Sequence, residues 1–196
     1  MAKNYDQPGK MDALNGYQSL KIIKQHLKST DTVLDFGCAT GTIACFLAGH
    51  VREIYGIDIS PRMIEIARQR ALDRNVRNIK FSQSSLFDEG FRQNSFQMIL
   101  AFSLLHLLPD IDKIIQRVYE LLQPGGLFVS LTSCLGEKVL FPPLVFVGRK
   151  IGFLPFIKCF KIIELEELIT AGNFQFIENK SIDNNPLEHF IMAKKV

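Results

Sequence analysis

Apolar residues recur along this chain in two alternating rhythms. Short, nearly continuous apolar runs read as buried strands at residues 31–36 (DTVLDF), 52–59 (REIYGIDI), 77–84 (RNIKFSQS), 95–103 (SFQMILAFS) and 127–133 (LFVSLTS). Between them apolar positions fall three and four residues apart, as on a helix with one buried face. Residues 17–28 place Leu20, Ile23 and Leu27 on such a face, with lysines elsewhere. Residues 42–50 and 62–74 predict two more helices, the second opened by Ser60 as N-cap and Pro61 in its first turn. Residues 110–122 predict a helix opened by Asp110, with Ile111, Ile114, Ile115, Val118 and Leu122 inward and Pro124-Gly125-Gly126 as its stop. A helix at 163–172, closed by Gly172, precedes two strands at 174–180 and 189–195 with no helix between them.

This alternation implies an α/β fold: a mostly parallel sheet with helices on both faces, ending in an antiparallel hairpin. A chain of 196 residues fits a single domain (1–196) with a sizeable core. Its net charge of +3 is too small to point to nucleic acid. The first twenty residues hold no apolar signal-peptide core, and no run approaches the length of a membrane span. Cys38, Cys45, Cys134 and Cys159 form no CxxC pair, so no metal site is expected. The expected compartment is cytoplasmic.

Chemistry concentrates where the first strand meets the next helix, in VLDFGCATGTIACFLA. In such sheets ligands bind beyond the carboxyl ends of the strands. Gly37 and Gly41 let the backbone bend sharply and approach a ligand. Gly37-x-Ala39-x-Gly41 lacks the spacing of a dinucleotide fingerprint, and no Gly-Lys-Ser/Thr follows to make a phosphate loop. Asp35 beside the turn suits a ligand with a cationic end, an amino group or a sulfonium. Asp58, at the end of the second strand, stands where a carboxylate holds ribose hydroxyls.

With these residues in place the chain resembles the class I S-adenosylmethionine-dependent methyltransferases of small-molecule type. VLDFGCATG is similar to the family's first motif and YGIDIS to its second. FSQSSLFD, SFQMILAFSLLHLL and LLQPGG follow in the family's order, and the ending is similar to its last helix and strand pair. Ala39 replaces a usual third glycine, and Ser84-Ser85 stand where Gly-Asp is common. The resemblance implies a Rossmann-like, doubly wound sheet of seven strands and S-adenosyl-L-methionine as cofactor, with S-adenosyl-L-homocysteine as product. It implies a cofactor site made by Asp35, Gly37, Cys38, Ala39, Gly41, Asp58, Ile59, Met63, Ser85, Leu86, Phe102 and Ser103, under an N-terminal cap segment (1–29) carrying Tyr5 and Tyr17. Met63 serves equally as a core residue, and Tyr17 as a surface ring.

His106 in SLLHLLPD has two readings: a packed histidine satisfied by a backbone carbonyl, or a general base. Residues 136–161 form an insertion with no acid between Glu137 and Glu164 but several phenylalanines and cations. It is either a lid over the acceptor or an extension of the core, and it offers a peripheral contact with an anionic membrane. The Asn/Asp-Pro-Pro-Tyr motif of amide-nitrogen methylators is missing after the fourth strand, where the chain reads Ala101-Phe102-Ser103-Leu104. The expectation is therefore methyl transfer to a hydrophobic, lipid- or quinone-like acceptor on oxygen or carbon. The alternatives are a catalytically inactive cofactor-binding regulatory subunit, or an RNA or protein methyltransferase; nucleic acid is not favoured.

Overall fold

The computed structural model describes residues 13–150, 156–183 and 185–196. Seven strands form one sheet in the order β3-β2-β1-β4-β5-β7-β6. β1 (Thr32–Phe36), β2 (Glu53–Asp58), β3 (Ile79–Gln83), β4 (Phe96–Phe102) and β5 (Leu122–Ser133) run parallel, as their continuous apolar runs predict. β6 (Phe174–Ile182) and β7 (Asn185–Lys195) pair antiparallel, and β7 pairs antiparallel with β5. The strand order reverses at β1, which puts β1 and β4 on either side of the crevice that such sheets use for ligands.

Helices cover both faces. α1 (Ala13–Gln25), α2 (Thr42–Leu47) and α3 (Pro61–Asp73) pack on one face through Ile23, Leu47, Ile64 and Ala67. α4 (Ile111–Leu121) and α6 (Ile162–Ala171) pack on the other through Ile115, Val118, Leu165 and Ile169. Each large aliphatic side chain so buried contributes roughly 1.5–3 kcal/mol. A polar network around the buried His189 also ties α6 to the hairpin. His189 meets Asn179 at 2.6 Å and Ser181 at 3.2 Å, while Asn179 donates to Glu166 of α6.

Two boundaries differ from the sequence pattern. Pro124-Gly125-Gly126 lies inside β5, not before it, because a register shift between Phe96 and Met98 absorbs the turn, with Gly125 at φ 75°. Asp110 stands at the N-cap of α4 but does not cap it with its side chain. Its backbone is left-handed (φ 50°), which turns the carboxylate away from the first-turn amides. Ser60 does cap α3, accepting from the Met63 N–H.

Candidate functional site

The turn between β1 and α2 is left-handed at Gly37 (φ 74°), Ala39 (φ 46°) and Gly41 (φ 73°). A side chain at Gly37 would collide with Leu104, and one at Gly41 with the Phe81 ring and Ala67. Glycine is therefore required at both positions by backbone and by neighbours. Alanine is the smallest residue that tolerates such a φ with strain, which explains why the motif survives at Ala39. The turn also uses its own amides. Gly37 and Cys38 N–H both donate to the Ile57 carbonyl, Gly41 N–H to Cys38, and Ala39 N–H to the Asp58 carboxylate at 3.1 Å. These amides are thus engaged by the protein, and the turn offers a ligand shape more than donors.

Charge comes from the two acids. Asp35 is only 2% exposed on the α2 face of β1. Burial pushes its carboxyl up to about 7; a backbone hydrogen bond from Ala44 opposes the rise and the Asp58 charge adds to it. Its Oδ2 is buried and has no partner. Asp58 accepts from Ala39 through Oδ2 and from Ser60 N–H through Oδ1 at 2.8 Å. Each oxygen keeps a second lone pair for a ligand hydroxyl. The buried Cys38 thiol is pushed up by burial and by the charges of both acids. An acid pair with one orphaned oxygen fits a ligand carrying both positive charge and hydroxyls.

Around this centre the expected residues divide. Ile59 is exposed beside Asp58, and Met63 is half-buried at the start of α3. Phe102 is half-buried at the end of β4, and Ser103 is exposed beyond it with φ 49°. Ser85 is exposed and its hydroxyl accepts from Phe87 N–H, closing a local turn. Leu86, expected to flank the adenine by position, has its side chain buried in the core cluster that includes α4, and its carbonyl accepts from Arg117. Tyr17 lies on α1, its side chain outside the described residues, as is Tyr5 altogether. Arg70 of α3 was not foreseen. It donates to Thr40 and Thr42 and so fixes the outer side of the turn.

His106 sits in a short 3-10 turn, Leu105–Leu107, past the end of β4. Burial lowers its pKa, so the ring is neutral near pH 7. Its buried Nδ1 has no partner, so the expected packing against a carbonyl does not occur at that atom. Its own carbonyl accepts from Lys158 N–H at 2.7 Å. That bond is one of several that anchor the ends of the 136–161 segment. Gly136 N–H donates to Phe160, and Ile162 N–H to Glu137. Among its described residues the segment buries Phe160 and Val145 and exposes Val139, Leu140, Leu144 and Phe146. α5 (Phe141–Lys150) runs through the Pro142-Pro143 pair, which falls in its first turn and does not break it.

A family model described as a methyltransferase domain matches residues 27–146, well over half of the chain. The chain belongs to this family. The matched span holds β1 to β5, both acids, the glycine turn and His106. Phosphoethanolamine N-methyltransferase 2 of Caenorhabditis elegans is 32% identical over 126 residues, which are 63% of this chain but 28% of that protein. Demethylmenaquinone methyltransferase of Lactiplantibacillus plantarum is 26% identical over 74% of this chain and 64% of its own. The alignments therefore span less than two thirds of either relative. Among solved structures, N-methyltransferase NodS of Bradyrhizobium japonicum, in complex with S-adenosyl-L-homocysteine, superposes with a TM-score of 0.72 at 18% identity, covering 98% of this chain and 90% of its own. The methyltransferase domain is thus of the class I, S-adenosylmethionine-dependent type that the motifs resemble. Among the described residues no helix is long and apolar enough to cross a membrane, and no cluster of His, Cys, Asp and Glu is placed to hold a metal.

Proposed function

We propose that this methyltransferase domain transfers the methyl group of S-adenosylmethionine to a small hydrophobic acceptor, lipid- or quinone-like, on oxygen or carbon. The observation that carries the cofactor reading is the acid pair: Asp35 with its orphaned buried oxygen, and Asp58 held by two backbone amides with lone pairs to spare. In this reading Asp58 accepts from the ribose hydroxyls and Asp35 balances the cationic amino-acid end. Gly37, Cys38, Ala39 and Gly41 shape the floor between them. Exposed Ile59 and half-buried Met63 flank the adenine, with Ser85 and the Leu86 backbone at its edge. Phe102 and Ser103 face the methyl end, and Tyr17 belongs to the covering segment. When bound, the cofactor supplies a methyl group on a sulfonium sulfur, which departs as a neutral thioether. The chain's part is to align the acceptor, exclude water and take up a proton. Neutral His106, with Nδ1 unpartnered, takes the proton from an acceptor hydroxyl.

The apolar acceptor is supported by Phe102, Leu104 and the exposed Leu107 around the end of β4. The Lactiplantibacillus relative acts, by its name, on a quinone precursor. The phosphoethanolamine relative shares only 28% of its length and speaks for the domain, not for its acceptor. A thermal-shift assay tests the cofactor half, the chain having no Trp for fluorescence. S-adenosylhomocysteine at a hundred times its dissociation constant should stabilise by about 2.7 kcal/mol, a rise of about 5–10 °C in Tm. NAD should give no rise. No shift with the sulfur ligand would end the assignment.

A further inference from the structure

Exposed apolar side chains concentrate on one stretch of the surface. Val139 is 86% exposed, Leu140 81%, Leu144 65% and Phe146 62%, all on α5 or the turn before it. Leu107 and Ile163 are also exposed, on segments joined to this one by the Lys158–His106 and Ile162–Glu137 hydrogen bonds. Scattered apolar residues on a surface need no explanation, but a run of this density does. α5 is seated on the fold by Val145, 7% exposed, which leaves its opposite side without cover from the described residues.

The charge of the same stretch is one-sided. From Lys138 to Ile163 the sequence holds no Asp or Glu, but it holds Lys138, Arg149, Lys150, Lys158 and Lys161. Lys150 lies over the Phe146 ring at 5.5 Å, so a cation stands directly beside an exposed aromatic. A protein partner matching this surface would have to be apolar and acidic together. An anionic bilayer surface has that combination by nature: acyl chains at the depth that Leu and Phe reach, and phosphate or carboxylate headgroups at the level of lysine ammonium groups.

We propose that the exposed face of Lys138–Phe146, together with Lys150, Lys158 and Lys161, is a docking surface for anionic lipid bilayers, on which Val139, Leu140, Leu144 and Phe146 insert while the lysines meet the headgroups. The docking stands independently of the acceptor, since it needs neither cofactor nor turnover. If the acceptor is lipid-like, the same contact holds the β4 end of the site close to the membrane that stores it.

The experiment is sedimentation of the full chain with vesicles of pure phosphatidylcholine and of equimolar phosphatidylcholine and phosphatidylserine. Three proteins are compared: wild type, Leu140→Ser/Leu144→Ser, and Lys138→Glu/Lys150→Glu. Wild type should pellet with the anionic vesicles at low salt and be released as salt rises, and pellet weakly with neutral ones. Each double variant should lose about tenfold or more in partitioning. All four side chains are exposed, so melting temperatures should stay within a few degrees, which separates lost docking from lost folding. Failure to pellet with anionic vesicles at low salt overturns the proposal, as does equal pelleting of all three proteins. Sedimentation equilibrium without lipid supplies the remaining check. A monomer agrees with a membrane surface, while a dimer that the Leu140/Leu144 variant dissociates would assign the patch to a second copy and overturn the proposal too.

Discussion

The backbone N–H of Ala39 donates to Oδ2 of Asp58 across 3.1 Å, so the turn after β1 and the end of β2 form one unit. The glycine turn is therefore not an independent ligand cradle. Its conformation is held by the acid that the proposed function assigns to the ligand, so loss of that acid should be felt twice.

Asp58→Ala removes the acceptor of two backbone amides and, in the proposed function, of the ribose hydroxyls. Hydrogen bonds to a charged group contribute roughly 1.5–3 kcal/mol, so S-adenosylhomocysteine should bind about 10–150-fold more weakly. Isothermal titration calorimetry measures this directly. His106→Ala, which removes none of these acceptors, should change the same affinity by less than about threefold. Equal losses in the two variants would show the cofactor to be misplaced.

Asp35 makes the ligand-free protein sensitive to pH. Its carboxyl rises from an ordinary 3.8 to about 7 on folding, through burial first and the Asp58 charge besides. Between those values the folded chain holds a proton that the unfolded chain releases. Its favourable contribution is therefore complete below pH 4 and lost as pH rises through 7. Asp35→Asn should flatten this slope and stabilise the ligand-free protein at pH 8, by about 4 kcal/mol at most. The same variant should bind S-adenosylhomocysteine more weakly. Melting curves from pH 4 to pH 8 (roughly 4 to 8, spanning the shift) check the sign; a wild type that gains stability over Asn with rising pH would contradict it.

Gly41→Ala forces a side chain into the Phe81 ring at φ 73° and should cost about 1–3 kcal/mol. Gly49 meets nothing within 4 Å, so Gly49→Ala should be neutral or slightly stabilising. Chemical denaturation of both variants makes the comparison, and equal costs would refute the steric account.

His106→Gln should lower kcat by about a hundredfold or more and leave cofactor affinity unchanged. Because burial lowers the imidazole pKa from 6.5, the acid limb of the wild-type kcat–pH profile should lie below that value. The variant should lack that limb. A full-rate variant would assign His106 to packing alone.

Much of this fold was legible because its central strands β1 and β4 are apolar on both faces. Leu34 and Val33 are both fully buried though they point to opposite sides of β1, and only a parallel sheet covered twice asks for that. The start of β5 was not legible. Pro124-Gly125-Gly126 is the ordinary sign of a stop, and the shifted pairing with β4 that keeps it in the strand exists only in three dimensions. In the candidate site, Asp35, Gly37, Gly41 and Asp58 stand out by their spacing along the chain. Arg70 did not, since an arginine on an amphipathic helix looks alike whether it faces water or the threonines of the turn. The burial of the Leu86 side chain was not legible either. Surrounded by SSLFDE, this residue reads as loop, yet the fold drives it into the core against α4. The His189 network likewise joins residues from α6, β6 and β7, which share no local pattern.

The central claim is methyl transfer to a hydrophobic acceptor, and methyl-tritiated S-adenosylmethionine tests it most directly. The full chain is incubated with the labelled cofactor and, in separate reactions, quinols, long-chain phenols, total RNA and denatured protein. The products are then partitioned between organic and aqueous phases. The account predicts label in the organic phase with a quinol or phenol, matched mole for mole by S-adenosylhomocysteine and lost in Asp58→Ala. Label confined to RNA or protein, or a bound cofactor that no acceptor turns over, would contradict it.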